Sequence, residues 1–274
     1  IGAYALDAAN TGEHYNIAIG TNALGAETSG ADGCVAIGYE ALLTQNRDAS
    51  ANTAVGYKAL RALGNGVTYE YGSDNTLLGY KTGYAITTSQ NNVIAGSGAG
   101  IALTIGGSNL LIGKDAGANL VTNHDNIAIG HGALDAAAGY ELYNIAIGNG
   151  ALGACINSAD YNVAIGHNAL ILQTANVTNT AIGGLAGDAL TSGDQNTFVG
   201  YLSGSAVFTS SANTVVGHVA YAKGTGNYNT VVGTFAGSSA ENTSAALSGN
   251  SNVLLGYAAG YDLTTGPGNV LIGK

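Results

Sequence analysis

Methionine and tryptophan are absent from this 274-residue chain, proline occurs once and cysteine twice. Charge is scarce as well: 9% of residues are Asp, Glu, Lys or Arg, against roughly a quarter in an ordinary soluble domain. With 7 Lys plus Arg against 17 Asp plus Glu, and a net charge of −10, the chain lacks the clustered cations that nucleic acid or an anionic membrane requires. No apolar run reaches the roughly 18 residues that span a bilayer, so no membrane insertion is expected. The single proline and the lack of a G-X-Y period exclude collagen and Gly/Pro low complexity. The chain opens neither on Met nor on a signal-like segment, which suggests a processed chain or a piece of a longer one. Glycine and apolar residues are plentiful: 44 Gly, and 46% hydrophobic residues, too many for a disordered polar tail.

The glycines are spaced. Many end a five-residue word: Asn, a β-branched or small residue, an apolar residue, Ile/Val/Leu, then Gly. It reads NIAIG at Asn16–Gly20, NTAVG at Asn52–Gly56 and NTVVG at Asn229–Gly233. Successive word glycines lie 16 to 18 residues apart, except for two intervals of 23, from Gly56 to Gly79 and from Gly233 to Gly256. A period near 17 over the whole chain signifies a repeat architecture. Of 15 complete words, 14 begin with Asn and the exception is Cys34. Three residues after the Gly stands Ala as a rule, followed by Leu (Leu24, Leu60, Leu152) or Gly (Gly83, Gly204, Gly260). The rest of each unit is Ser, Thr, Asn, Asp, Gly and Ala, which is turn chemistry.

A 17-residue unit is too short for a helix-turn-helix repeat. Short β-branched words bounded by Asn and Gly read as strands. The expected fold is therefore all-β: one parallel β-solenoid, or β-roll, of about fifteen coils over residues 1–274. Its coils stack at about 4.8 Å, for a length of roughly 70 Å. The expected ladder is Asn16, Asn52, Asn75, Asn92, Asn109, Asn126, Asn144, Asn162, Asn179, Asn196, Asn213, Asn229, Asn252 and Asn269, each bonding its own turn and its copies in adjacent coils. The word Gly is expected at positive φ or at a close backbone approach. The 23-residue intervals mark loop insertions near 61–74 and 238–251, the first carrying Tyr69 and Tyr71. Insertions of this kind project from a solenoid and often carry binding. In each word the residue before Gly and the one before that are both apolar, so both strand faces want to be dry. One face fills the coil. The other predicts an oligomer with this strand at the subunit interface.

Repeated N-x-A-[IV]-G-x-x-A resembles the head repeats of trimeric autotransporter adhesins, which implies a parallel β-roll with three chains about one axis. The longer form, Asn52-Thr-Ala-Val-Gly-Tyr-Lys-Ala-Leu60, is similar to repeats of bacteriophage tail fibres and related bacterial surface proteins. The adhesin heads repeat at a shorter period. The resemblance implies a homotrimeric structural fibre, extracellular or on a virion surface. The alternatives are an adhesin head binding host protein or glycan, and a head-to-tail filament. The chain starts on Ile1-Gly2, half a word, and stops at Lys274 just after a complete one, with no atypical capping repeat. A segment of a longer fibre, or end-to-end stacking, is the expectation.

Signs of chemistry are few, and neither enzyme activity nor a cofactor is expected. His131, His167 and His218 share the column after the word Gly, where Tyr39, Tyr57, Tyr80, Tyr201 and Tyr257 stand elsewhere. Two and three coils separate them, about 10 and 14 Å, too far for one ion with ligands at about 2 Å. No metal is expected within one chain; a trimer with this column facing its axis would be the exception. Cys34 and Cys155, 121 residues apart, are too distant along such a stack for a disulfide. The carboxylates form no recurring pair suited to acid/base work, and Gly96-Ser-Gly98 lacks the strand-to-helix setting of a nucleotide loop. Calcium at acidic turns stays open. Thr53, Thr76, Thr180, Thr197, Thr214 and Thr230 share a column; Ile or Val fills it elsewhere, which fits β-propensity better than an ice-binding array. Tyr is the preferred aromatic, 16 against 3 Phe. Its columns, including Tyr15, Tyr143, Tyr161 and Tyr228 before the Asn, read either as edge-covering ladders or as a stripe contacting sugar or protein. Tyr57, Tyr80, Tyr69 and Tyr71 are the candidate binding residues.

Overall fold

The computed structural model describes residues 1–7, 14–27, 31–45, 49–64, 72–136, 139–155, 159–175, 178–239 and 247–274. Both insertions fall partly outside these residues, and Tyr69 and Tyr71 wholly so. The fold is all-β, a parallel β-solenoid of about thirteen turns with a repeat near 17 residues. About fifteen were expected from the glycine spacing. Backbone contacts divide the chain into two units, Ile1–Leu142 and Tyr143–Lys274.

In the first unit the words become β1 (Ile17–Ile19), β3 (Val35–Ile37), β5 (Thr53–Val55), β6 (Thr76–Leu78), β7 (Val93–Ala95), β8 (Leu110–Ile112) and β9 (Ile127–Ile129). Two further strands, β2 (Ala26–Glu27) and β4 (Thr44–Gln45), pair with each other beyond the turn. The second unit holds β10 (Ile145–Ile147), β11 (Val163–Ile165), β12 (Thr180–Ile182), β13 (Thr197–Val199), β14 (Thr214–Val216), β15 (Thr230–Val232), β16 (Val253–Leu255) and β17 (Val270–Ile272). All pairing within a unit is parallel and in register: Ala36 lies opposite Ala54, and Phe198 opposite Val215. The insertion before β6 does not shift the register, since Thr53, Ala54 and Val55 meet Thr76, Leu77 and Leu78.

Each strand ends where the word glycine bends the chain. These glycines have φ between 123° and 146°, a region that L side chains rarely adopt. A Cβ on Gly113 would also stand 2.5 Å from the carbonyl oxygen of Gly130 in the next coil. Both expected reasons for glycine therefore apply at once. The turn that follows uses left-handed residues at its second and fourth positions, as in Lys58 (φ 56) and Leu60 (φ 49). A third left-handed residue precedes the Asn, as in Tyr143 and Tyr161 (both φ 58). Non-glycine residues there cost roughly 1–2 kcal/mol each. Backbone bonds to both neighbouring coils hold them: Lys58 N–H donates to Tyr39 O at 2.8 Å and Leu60 N–H to Thr82 O at 3.0 Å.

The core inside the coil is narrow, and two residues share it. The middle residue of each described word from Ala36 to Leu254 is fully buried. Where it is Ala (Ala36, Ala54, Ala128, Ala146), the fourth residue after Gly is Leu (Leu42, Leu60, Leu134, Leu152). Where it is large (Leu77, Ile94, Leu111, Phe198), that residue is Gly. A Cβ on Gly204 would lie 2.6 Å from the Phe198 ring, and one on Gly117 3.0 Å from Leu111. In these coils a small residue at one site goes with a large one at the other, as close packing requires. Ala181 departs from this, since Gly187 stands at the second site and Phe198 and Leu170 of the neighbouring coils take up the space. Tyr221 is a third solution. It fills the Leu position, is fully buried, and occupies the space that a side chain at Gly224 would need.

Candidate functional site

The asparagines form hydrogen-bonded columns. Asn52 Oδ1 accepts both the backbone N–H and the Nδ2–H of Asn75, each at 3.0 Å. The same two-bond step runs from Asn75 to Asn92, Asn92 to Asn109 and Asn109 to Asn126. In the second unit it joins Asn144 to Asn162, then runs from Asn179 through Asn196, Asn213, Asn229 and Asn252 to Asn269. Asn162 Oδ1 accepts the Asn179 backbone N–H at 2.9 Å. The amide also reaches across the coil, from Asn109 Nδ2 to Asn123 O and from Asn196 Nδ2 to Ser210 O. The columns are buried except near their ends at Asn16 and Asn269. A buried amide left without such partners would cost about 1–3 kcal/mol.

At Cys34 the column lacks an amide, and the structure shows what replaces it. Cys34 N–H still donates to Asn16 Oδ1 at 2.8 Å. Gln45, also fully buried, sends its Nε2 to Ala49 O and to Cys34 Sγ. Ala49 O is the carbonyl that an Asn at position 34 would reach, by analogy with Asn16 Nδ2 and Ala31 O at 2.7 Å. Gln45 stands in the column that holds Leu63, Ile86, Leu103 and Leu120 in the coils that follow, and a second buried glutamine, Gln173, further along. The missing Asn at position 34 was visible in the sequence, but only the fold shows that Gln45 supplies an amide in its place.

The strands present two outward columns on either side of the buried middle residue. In the first unit Ile17, Leu78 and Val93 are 49%, 56% and 44% exposed. In the second, Ile182, Val216, Val253 and Leu255 are exposed as well. This face carries Thr or β-branched and aliphatic residues and, within the described words, no charge.

Past the bend at the word glycine runs the aromatic column. Tyr39, Tyr57 and Tyr80 stack with ring centroids 5.3 Å apart at each step and planes within 16°. The next column carries Glu40, Lys58 and Lys81. Lys58 Nζ lies 5.3 Å from the Tyr57 ring centre and 5.7 Å from that of Tyr39. Lys81 Nζ lies 5.3 Å from Tyr80 and 5.8 Å from Tyr84. Arg61 donates from Nε to Glu40 Oε2 at 2.7 Å and lies over Tyr84, while Lys58 pairs with the same carboxylate at 3.5 Å. That hydrogen bond from Arg61 holds the Glu40 carboxyl below the usual carboxylate range. Glu40 in turn raises the Tyr39 phenol. Tyr57 and Tyr80 are thus joined by Tyr39, Tyr84, Lys58, Lys81, Arg61 and Glu40. The signal for the two lysines was their shared position two residues after the word glycine.

The remaining expected features lie apart from this cluster. In the second unit His218 stacks on Tyr201 at 5.6 Å and meets Phe235 edge-on at 5.7 Å, so it is one member of an aromatic column. Tyr143 and Tyr161 stack at 4.9 Å. Both cysteines are fully buried. Among the described residues no group of three His, Cys, Asp or Glu could hold a metal ion, and no helix is long and apolar enough to cross a membrane. Comparison with family models, curated proteins and solved structures yields no match.

Proposed function

We propose that this chain is a structural segment of a homotrimeric fibre, extracellular or on a virion surface, whose uncharged strand face closes against two further copies. The observation that carries this reading is that face itself. Its two outward columns repeat in every described word, with Leu78 still 56% exposed in the single chain. Within each unit an uncharged band of aliphatic residues and Thr is the kind of exposed face that marks an interaction surface. The fibre's work is mechanical extension and the presentation of receptor-contacting residues, with no catalysis. Sedimentation equilibrium tests it: the expected mass is three times 27.0 kDa, and a monomeric mass at micromolar concentration sinks the proposal. Leu78→Lys, at the centre of the exposed column, should lower the assembly state without unfolding the coil. A second reading, an adhesin head that binds glycan or protein, is favoured by the Tyr39–Tyr57–Tyr80 ladder and the cations beside it.

A further inference from the structure

We propose that the Tyr39–Tyr57–Tyr80 ladder, with Lys58 and Lys81 beside it, binds a carboxylated saccharide chain laid along the coil axis. The inference rests on the reading of this chain as a presenter of receptor-contacting surface, and it names the ligand class.

Charge is the first argument. The chain carries −10 overall, so a cluster of cations is a local exception. Three of the six Lys and Arg among the described residues, Lys58, Arg61 and Lys81, lie in this one cluster. Glu40 pairs with two of them. Lys81 has no ion pair among the described residues, and its Nζ lies against the rings of Tyr80 and Tyr84. The patch therefore holds a surplus of positive charge with an ammonium available to an incoming anion, and charge-assisted hydrogen bonds are the strong ones.

Geometry narrows the class. A base cannot enter between rings 5.3 Å apart, because two aromatic contacts need about 7 Å. An extended peptide repeats its side chains on one face at about 6.6–6.8 Å, out of step with the ladder. A sugar polymer needs neither intercalation nor a strand register. It offers hydroxyls and C–H edges along its length, and a row of phenols gives both a hydroxyl partner and an apolar edge at each coil. The rings are 42%, 42% and 50% exposed, so these edges are open. Stacking also fixes them in advance, which lowers the ordering cost of binding.

The test is calorimetric titration of the whole chain with oligogalacturonate, with a neutral dextran of equal length and an oligoglutamate peptide as comparisons. Saturable binding of oligogalacturonate is expected, at least about tenfold tighter than either comparison, given the strength of hydrogen bonds to charged groups. Lys81→Asn should weaken it by about tenfold. Lys81 sits at φ 52, and Asn22 and Asn168 hold the same left-handed position in other coils, so that variant should keep the backbone. Tyr80→Phe, which keeps the ring and removes the hydroxyl, should weaken binding less. Lys114→Asn, two coils on from Tyr80 along the same column, should weaken it less than Lys81→Asn. No binding, equal binding of oligoglutamate, or equal losses in Lys81→Asn and Lys114→Asn would overturn the proposal. So would a loss of assembly mass in Lys81→Asn, which would make the patch a subunit contact. A trimer without saccharide binding defeats this inference alone, whereas binding by a monomer upholds it and defeats the fibre reading.

Discussion

The coils of β3 and β5 and those from β13 to β16 fill the narrow core by opposite means. In the first, Ala36 and Ala54 leave room that Leu42 and Leu60 fill from the turn. In the second, Phe198 and Leu254 fill the coil from the strand, and Gly204 and Gly260 stand where the leucines were. Tyr221 adds a phenol whose oxygen accepts from Gly226 N–H and Asn229 Nδ2, both at 2.9 Å. Outside, the first region is aromatic and cationic, with parallel tyrosines and paired lysines. The second replaces this with Tyr201, His218, Phe235 and Tyr257, partly edge-on. The interior exchanges bulk between two sites while the exterior varies freely. Stacking demands a common coil size, and nothing comparable binds the outward side chains.

The largest effect that can break this comparison is at Phe198. Phe198→Ala should cost about 3–5 kcal/mol by leaving a cavity, and adding Gly204→Leu should recover a substantial part by converting the coil to the Ala–Leu form. Urea denaturation of the single and double variants measures the coupling; strict additivity would show that the two volumes are independent. Next come the word glycines, required equally in both regions. Gly113→Ala and Gly217→Ala would each place a Cβ 2.5 Å from a carbonyl of the next coil. Losses of about 2–5 kcal/mol are expected from strain and overpacking together, and hydrogen exchange around β8 and β14 should rise similarly.

Tyr221 gives the second region its own alkaline limit. Burial pushes the phenol up to about 12, against an ordinary value of about 10. The folded state thus holds this proton more tightly. The associated stability is complete below about pH 10 and lost as pH rises through 12, roughly 2–3 kcal/mol in all. Tyr221→Phe should flatten the fall in melting temperature between pH 9 and 12; an unchanged slope would refute the assignment. Val219 is a β-branched residue at φ 54 where Asn168 stands at φ 53. Val219→Asn should therefore raise stability by about 1 kcal/mol, read from the urea midpoint. The smallest effect belongs to Glu40 in the first region. Its carboxyl is held below the usual range, so its contribution is present at neutral pH and is lost as pH falls from that range through its lowered value. Glu40→Gln should lower the melting temperature at pH 7, and the gap to the unsubstituted chain should narrow as the pH is lowered into the acid range.

The period of the glycines, the Asn columns and the short strands could all be read from the sequence, because a solenoid repeats each local requirement at one spacing. Gly113 and Asn109 meet the same neighbours one coil on, whichever side chains fill the core. The exchange between Phe198 and Gly204 was less visible, because it links residues that look unremarkable singly and conserves only their summed volume. The substitution of Gln45 for an Asn at position 34 was also hidden: it joins two columns that meet only inside the coil. The cluster at Tyr57 and Tyr80 was half legible, as aligned tyrosines without their cations. The repeat and the contents of each coil follow from residue order alone, since backbone hydrogen bonds and steric limits act at fixed spacing. Which side chains share a cavity and which charges face which rings follows from the folded coils, since those contacts depend on distances across the coil and between coils.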